Sequence, residues 1–301
     1  MIISLNKQAE NNFQPNTIKG SATILANSTQ SALALSAVGL EVASIFPGEE
    51  SKDIRFESRN EYDYAAIHLP DFNNLSSVPT FIEVYITREF LVILSDSSTL
   101  EKLETEFASC DGDGNSPAQM LSILFSYILK QDADLLEEID NRIEALEEQS
   151  TLRKPEDHSV TIIALRKQLL ALKRYFEALY DLLEELEDNK NNLFSKAQLQ
   201  IFRVHKNKAN RLLNTVLNLR DYLTQVREAF QNQLDISLNE TMRFFTVITS
   251  IFLPLTLIVG WYGMNLRMPE LAFGITYPIV IIVSIVFVIL SLLYCKKKGW
   301  F

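Results

Sequence analysis

Between Arg243 and Arg267 the chain runs for 23 residues without a charged side chain, and a second uncharged run of 25 residues extends from Leu271 to Cys295. At about 1.5 Å of rise per residue, either run as a helix crosses the ~30 Å hydrocarbon layer of a bilayer. Helices buried inside soluble proteins seldom stay free of charge for more than about 20 residues twice in succession. The pattern therefore predicts two C-terminal spans, 244–264 and 272–295, joined by an extracytoplasmic loop at 265–271 and followed by a basic tail at 296–301. Arg243 on one side and Lys296, Lys297 and Lys298 on the other flank the outer limits of the pair, whereas only Arg267 lies in the connection. By the positive-inside rule both termini are expected in the cytoplasm, in a multi-pass protein of the inner or plasma membrane. The first residues, MIISLNKQAENNFQ, have no basic segment followed by an apolar one, so some 240 residues are expected to stay inside.

Charge is divided in the same way. The net charge is −10, but residues 241–301 carry +4 and the preceding 240 residues −14. An acidic body lacks the basic face that phosphate neutralisation requires, which excludes nucleic acid as the main partner. Two cysteines, Cys110 and Cys295, cannot make a disulfide framework, and a reducing compartment is expected.

Residues 1–116 read as an α+β cytoplasmic domain. TFIEVYITREFLVILS places two apolar stretches on either side of Thr87, Arg88 and Glu89, as a β-hairpin does, with further strands at Tyr64–Leu69 and Ile54–Glu57. SALALSAVGLEVA and TLEKLETEFA have helical patterns. From Ser116 the apolar residues recur at three and four, predicting long helices over 117–243. The first runs from Pro117 towards Gln149 with Leu135, Ile139, Ile143 and Leu146 on one side. The second, from about Ser159 to Asp188, carries Leu165, Leu169, Leu172, Phe176, Leu179, Leu183 and Leu186. The third has Leu212, Val216, Leu219, Leu223, Val226 and Phe230, a coiled-coil seam. Neither proline nor glycine occurs between Phe194 and Pro254, so this stalk helix can continue into the first span.

At 100° per residue, Asn239, Met242, Thr246, Thr249, Leu253, Thr256 and Gly260 fall within an arc of about 100° on that helix. Phe244, Val247, Ile248, Ile251, Phe252, Leu255 and Ile258 make most of the remainder large and apolar. Helix packing explains any single threonine, but a continuous polar or small stripe suggests a wet surrounding. One helix cannot enclose a pore, so conduction requires several copies around an axis. Pro254 cannot donate to the Ser250 carbonyl, which leaves that oxygen free for water or an ion.

Tyr262-Gly263-Met264-Asn265 at the outer end of the first span, Met268-Pro269-Glu270-Leu271 in the loop, NETMRFFTVITSIFLPLTLIVGWYGMN and the closing KKKGW resemble the CorA family of magnesium transporters. The resemblance is close over residues 200–301 and loose over the rest. It implies a funnel-shaped homopentamer of long stalk helices, with the first spans around a central pore and the second spans outside. By position it implies an outer mouth and selectivity site at Gly263, Met264 and Asn265, with Asn265 holding hydrated Mg2+ through water. Asn239, Met242, Leu253 and Thr256 would face the pore, which matches the stripe. Met242 and Phe245 are inner-gate candidates, Phe245 replacing a smaller aliphatic residue common there. Lys296, Lys297 and Lys298 would form a basic ring. The family senses intracellular Mg2+ through carboxylates between cytoplasmic domains; here the matching stalk region is basic (Arg203, Lys206, Lys208, Arg211), so no sensor residue transfers by motif.

Other sites carry less. Cys110-Asp111-Gly112-Asp113-Gly114-Asn115 starts like an EF-hand loop, but Ser116 and Ser122 stand where glycine and glutamate are needed, so a turn is expected. His68, His158 and His205 have no ligand partners at helical spacing and are expected at the surface or as caps. Glu137-Glu138, Glu144, Glu147-Glu148 and Glu184-Glu185-Glu187-Asp188 read as solvated helix faces. With no catalytic grouping and no phosphate-binding glycine loop, the chain is expected to be a transporter without a cofactor rather than an enzyme. The expected cargo is Mg2+, with Co2+ and Ni2+ alongside, driven by membrane potential and gated by intracellular Mg2+. A transition-metal carrier such as one for Zn2+ and a non-conducting coiled-coil scaffold are the alternatives.

Overall fold

The computed structural model describes residues 2–4, 21–40, 54–71, 79–108, 116–150, 158–264 and 274–299. The chain divides into two compact units, Met1–Glu148 with Asp157–Val226, and Gln149–Glu156 with Arg227–Phe301.

The first unit is built on a six-stranded mixed sheet in the order β1 (Ile2–Ser4), β2 (Ala22–Asn27), β6 (Phe90–Ser95), β5 (Thr80–Ile86), β4 (Asp63–Leu69), β3 (Arg55–Ser58). β1, β2 and β6 run parallel, and β6, β5, β4 and β3 form an antiparallel meander. The hairpin expected around Thr87 to Glu89 is β5–β6, closed by Thr87 N donating to the Phe90 carbonyl at 2.9 Å. β2 escaped the sequence reading. Ala22 and Ala26 give it little strand propensity, and only its parallel pairing with β6 marks it as a central strand.

Alternation along the strands sends side chains to two cores. Leu25, Ala65, Ile67, Ile82, Val84, Ile86, Leu91 and Ile93 point to one face, and Ile24, Ala26, Tyr64, Ala66, Tyr85, Val92 and Leu94 to the other. The second face is covered by α1 (Ser31–Ala37) through Ala34 and Leu35. This helix is shorter than its apolar pattern suggested. Gly39, at φ +76°, ends it, with Gly39 N donating to the Ser36 carbonyl and Leu40 N to that of Leu35.

The first face meets α2 (Ser97–Ala108), α3 (Pro117–Ser150), α4 (Ser159–Asp188) and the first part of α5 (Lys196–Tyr262) in one continuous core. Phe107, Phe125, Phe176 and Phe202 are fully buried there, each stabilising the fold by about 1.5–3 kcal/mol. Ser116 and Gln119 bond reciprocally, as do Ser195 and Gln198, so capping boxes start α3 and α5. The seam of α3 runs through Asp132, Leu136, Ile139, Ile143 and Leu146; Leu136 rather than Leu135 carries it, because the row begun by Ile128 and Leu129 continues in steps of four and three. On α4 a second buried row, Gln168, Tyr175 and Leu182, lies beside the expected one, giving a face wide enough to meet more than one neighbour.

In the second unit α5 stays helical through Pro254 as far as Tyr262, and α6 spans Thr276–Lys297. The expected second span began at 272, but Pro278 sits in the first turn of α6, where its missing N–H costs nothing and its ring would clash with a helical carbonyl four residues earlier. At the other end α6 passes Cys295 to include Lys296 and Lys297. It stops at Gly299, φ +69°, whose N–H donates to the Lys296 carbonyl.

Candidate functional site

Over the uncharged stretch that starts at Phe244, the shielded residues of α5 are Val247, Ile248, Ile251, Pro254, Leu255 and Ile258. They recur at three and four and form one face. On α6 the shielded residues are Val280, Ser284, Phe287, Val288, Ser291 and Cys295, again one face. The two faces cover one another, with Val247 and Cys295 the most buried, at 2% and 4% exposure.

On a helical wheel the stripe Asn239, Met242, Thr246, Thr249, Leu253, Thr256 and Gly260 lies on roughly the opposite side of α5. Every one of these residues is exposed, Met242 at 65% and Leu253 at 69%. Phe245 sits at the edge of the stripe, 57% exposed, its ring 5.8 Å from that of Phe244.

The threonine hydroxyls are engaged within the helix. Thr246 donates to the Met242 carbonyl at 2.7 Å, Thr249 to that of Phe245 at 2.7 Å, and Thr256 to that of Phe252 at 2.8 Å. Their protons are thereby directed to backbone and their lone pairs are left to accept from outside the helix. A face of this kind offers acceptors at one-turn spacing, suited to a partner rich in donors such as metal-bound water.

At the outer end, Gly263 N donates to the Val259 carbonyl at 2.8 Å, and a Cβ on Gly263 would stand 2.9 Å from that oxygen. Glycine is required by this close approach. Around Gly260 nothing among the described residues lies within 4 Å of an added Cβ, so no packing among them explains a residue that costs about 1 kcal/mol in a helix. Met264 is half-exposed and its N–H reaches the Trp261 carbonyl at 3.4 Å. Asn265 lies outside the described residues, as do Met268 to Leu271.

Lys296, Lys297 and Lys298 are exposed at the C-terminus of α6, where positive charge complements the helix dipole. Met242 lies within α5, beside Arg243 at the charged limit of its uncharged stretch.

The carboxylates of the first unit are partly neutralised by the basic stretch of α5. Glu187 meets Arg203 at 2.7 Å and Lys206 at 2.6 Å, and these bonds hold its carboxyl below the usual range. Glu184 lies 3.7 Å from Lys206, and Tyr222 donates to Glu147. Glu137, Glu138, Glu144 and Glu148 are exposed. No group of three or more His, Cys, Asp or Glu able to hold a metal ion occurs among the described residues. The EF-hand-like run Cys110 to Asn115 lies outside them.

Two histidines differ from expectation. His205 is buried on the face of α5 shared with Phe202 and Ala209, its Nε2 2.8 Å from Ser122 Oγ, and burial lowers its pKa. His68 is buried in β4 against the ring of Phe81. His158 precedes α4 without a side-chain cap bond. Asp132, absent from the residues expected to matter, is 7% exposed and accepts from the Tyr175 hydroxyl at 3.0 Å. Its place on the apolar seam of α3, one turn after Ile128 and one before Leu136, was the available signal.

A family model described as "CorA-like Mg2+ transporter protein" matches residues 34–297. The chain is 34% identical over 168 residues to the "Cobalt/magnesium transport protein CorA" of Thermotoga maritima, covering 55% of this chain and 48% of that protein. It is 28% identical over 236 residues to the "Magnesium transport protein CorA" of Campylobacter jejuni, covering 75% and 71%. The aligned part thus spans about half the length of the first relative. Among solved structures, the CorA magnesium transporter from Methanocaldococcus jannaschii superposes with a TM-score of 0.78 at 20% identity, covering 93% of this chain and 91% of that one. The full-length CmaX protein gives 0.72 at 18%, covering 92% and 90%. At these identities the likeness is one of fold.

Proposed function

The chain belongs to the CorA family, whose members are ion transporters and not enzymes, and from that premise we propose that it conducts Mg2+ across the membrane through a pore lined by the threonine stripe of α5. The single observation that carries the reading is the placement of the stripe: exposed throughout, and turned away from the face that α6 covers. The name of the T. maritima relative supports Co2+ as a second cargo.

The pore requires several copies, and a homopentamer is the proposed assembly, with α5 inside and α6 outside. Asn239, Met242, Thr246, Thr249, Leu253, Thr256 and Gly260 then line the axis. Mg2+ sheds its water reluctantly and keeps several ligand waters when bound. Those waters present hydrogens outward, and back-bonded threonines present lone pairs to them. No carboxylate lies in either span to hold the ion too tightly to leave. The open space at Gly260 supports an approach by ion or neighbouring chain, since nothing among the described residues uses it. Gly263, Met264 and Asn265 form the outer mouth in this reading, and Met242 with Phe245 the inner constriction. An interior 100 mV negative supplies about 4.6 kcal/mol for a divalent ion, so no ATP is needed. Intracellular Mg2+ closes the channel by bridging the exposed carboxylates of neighbouring copies, and both termini lie in the cytoplasm.

Uptake of Mg2+ into proteoliposomes under an imposed potential tests the reading. Uptake abolished or reduced at least tenfold by Asn265→Ala is the expected result. Unaltered uptake in that variant refutes the outer-mouth assignment, and a wild-type protein that passes no divalent ion is a scaffold.

A further inference from the structure

On one flank of the contact between α5 and α6 the two helices leave a cavity of about 670 Å³, lined by Ser250 of α5 and by Phe287, Leu290, Tyr294 and Lys297 of α6 among others. Its volume falls in the ~300–1,000 Å³ range of small-ligand pockets. The lining is largely apolar, except for Lys297 at one end. Arg243 precedes Ser250 by seven residues, two turns towards the same end of the pair and on the same side of α5. Ser250 shares the cavity lining with Tyr294, Cys295 and Lys297, which sets this part of α5 level with the end of α6 that carries Lys297. Both cations are exposed, and neither has an ionic partner among the described residues.

A stop-transfer signal needs positive charge after the span but does not need an open apolar furrow leading up to it. We propose that this groove is a binding site for an anionic phospholipid, with an acyl chain lying along Phe287, Leu290 and Tyr294 and the phosphate held between Lys297 and Arg243. Apolar length ending in two unpaired cations complements a lipid with one acidic headgroup; a neutral headgroup would leave both charges uncompensated. The stripe residues of α5 take no part in the site, so the inference rests on the membrane-spanning reading and not on conduction.

Native mass spectrometry of the full-length protein, released from micelles containing equal amounts of phosphatidylglycerol and phosphatidylcholine, tests it. Phosphatidylglycerol is expected to be retained preferentially, at one per chain. Each cation near the headgroup contributes about fivefold, so Arg243→Gln with Lys297→Gln should lower the preference roughly thirtyfold. Leu290→Trp keeps both charges and fills the furrow, and it should also abolish retention. The melting temperature in phosphatidylcholine alone shows that each variant remains folded. Equal retention of the two lipids by the wild type overturns the proposal, as does retention unchanged in Leu290→Trp, or a cross-link through position 290 showing the groove filled by a second copy of the chain. Ion uptake that survives such a result leaves the transport reading standing.

Discussion

At Asp132 the chain buries a carboxyl on the core seam of α3 with one hydroxyl donor, Tyr175, and the charge of Lys208 to compensate. Burial dominates and pushes the group up to about 7 from its ordinary 3.8. The sign follows from linkage: the neutral acid's contribution to stability is complete below pH 3.8 and is lost as pH rises through about 7. Asp132→Asn keeps an acceptor for Tyr175 and cannot ionise. It should remove that loss and raise stability at pH 8 by on the order of 2–4 kcal/mol, measured as melting temperature against pH. His205, held neutral by burial, titrates with the opposite sign, so the difference between wild type and variant isolates Asp132. In the proposed pore, Thr246, Thr249 and Thr256 share one acceptor role. Replacing all three by valine preserves volume and helix but removes the lone pairs, and Mg2+ uptake should fall at least tenfold while helix content by circular dichroism stays unchanged.

Among the elements, the loop between α4 and α5 shows how a few polar groups position long helices. Asn189 closes α4 in the left-handed region at φ 49° and bonds the Phe194 backbone through both its side-chain atoms. Asn191 donates to Asp63 Oδ1 at 2.8 Å and to the Arg59 carbonyl, fastening the loop to the turn between β3 and β4. Asp63 is itself buried, and burial raises its pKa despite the bond from Asn191. Asn191→Ala strands that carboxyl and should destabilise the first unit by about 1–3 kcal/mol in urea unfolding. Glu187 works differently. Its bonds to Lys206 and Arg203 lower its pKa, so its contribution is present above the ordinary carboxylate range and is lost as pH falls through the lowered value. Of the three only Arg203 is exposed, whereas Lys206 and Glu187 are largely shielded, and Glu187→Gln should cost on the order of 1–2 kcal/mol by the same measurement.

For the whole molecule, the proposal stands on assembly. In mild detergent the protein should have the mass of five chains; a monomer cannot enclose the pore and would sink the conducting reading. If Mg2+ bridges carboxylates between copies, millimolar Mg2+ should slow proteolysis of the cytoplasmic part severalfold relative to chelator, and equal cleavage would remove the gating step. The extent to which all this was legible differs by element. The stripe, the seams of α4 and α5 and the two apolar runs were readable because each depends only on residues within a few turns of one another. β2 was not, because an alanine-rich strand is specified by partners 68 residues away. His205 and Asp132 were not, because their burial depends on which faces α3, α4 and α5 turn towards one another.

By itself, then, the amino-acid sequence determined the quantities that are local. These are two stretches too long and too free of charge to remain in water, the start of α3 and the end of α4, and a side of α5 that alternates threonine with small or flexible residues. Tertiary structure decided the order of the sheet, the burial of an acid and two histidines, and which side of α5 its neighbour α6 covers. Hydrophobic partition and helical periodicity act along the chain and can be read from spacing. Strand pairing and helix docking join segments far apart in sequence, and their outcome depends on three-dimensional complementarity that spacing does not encode.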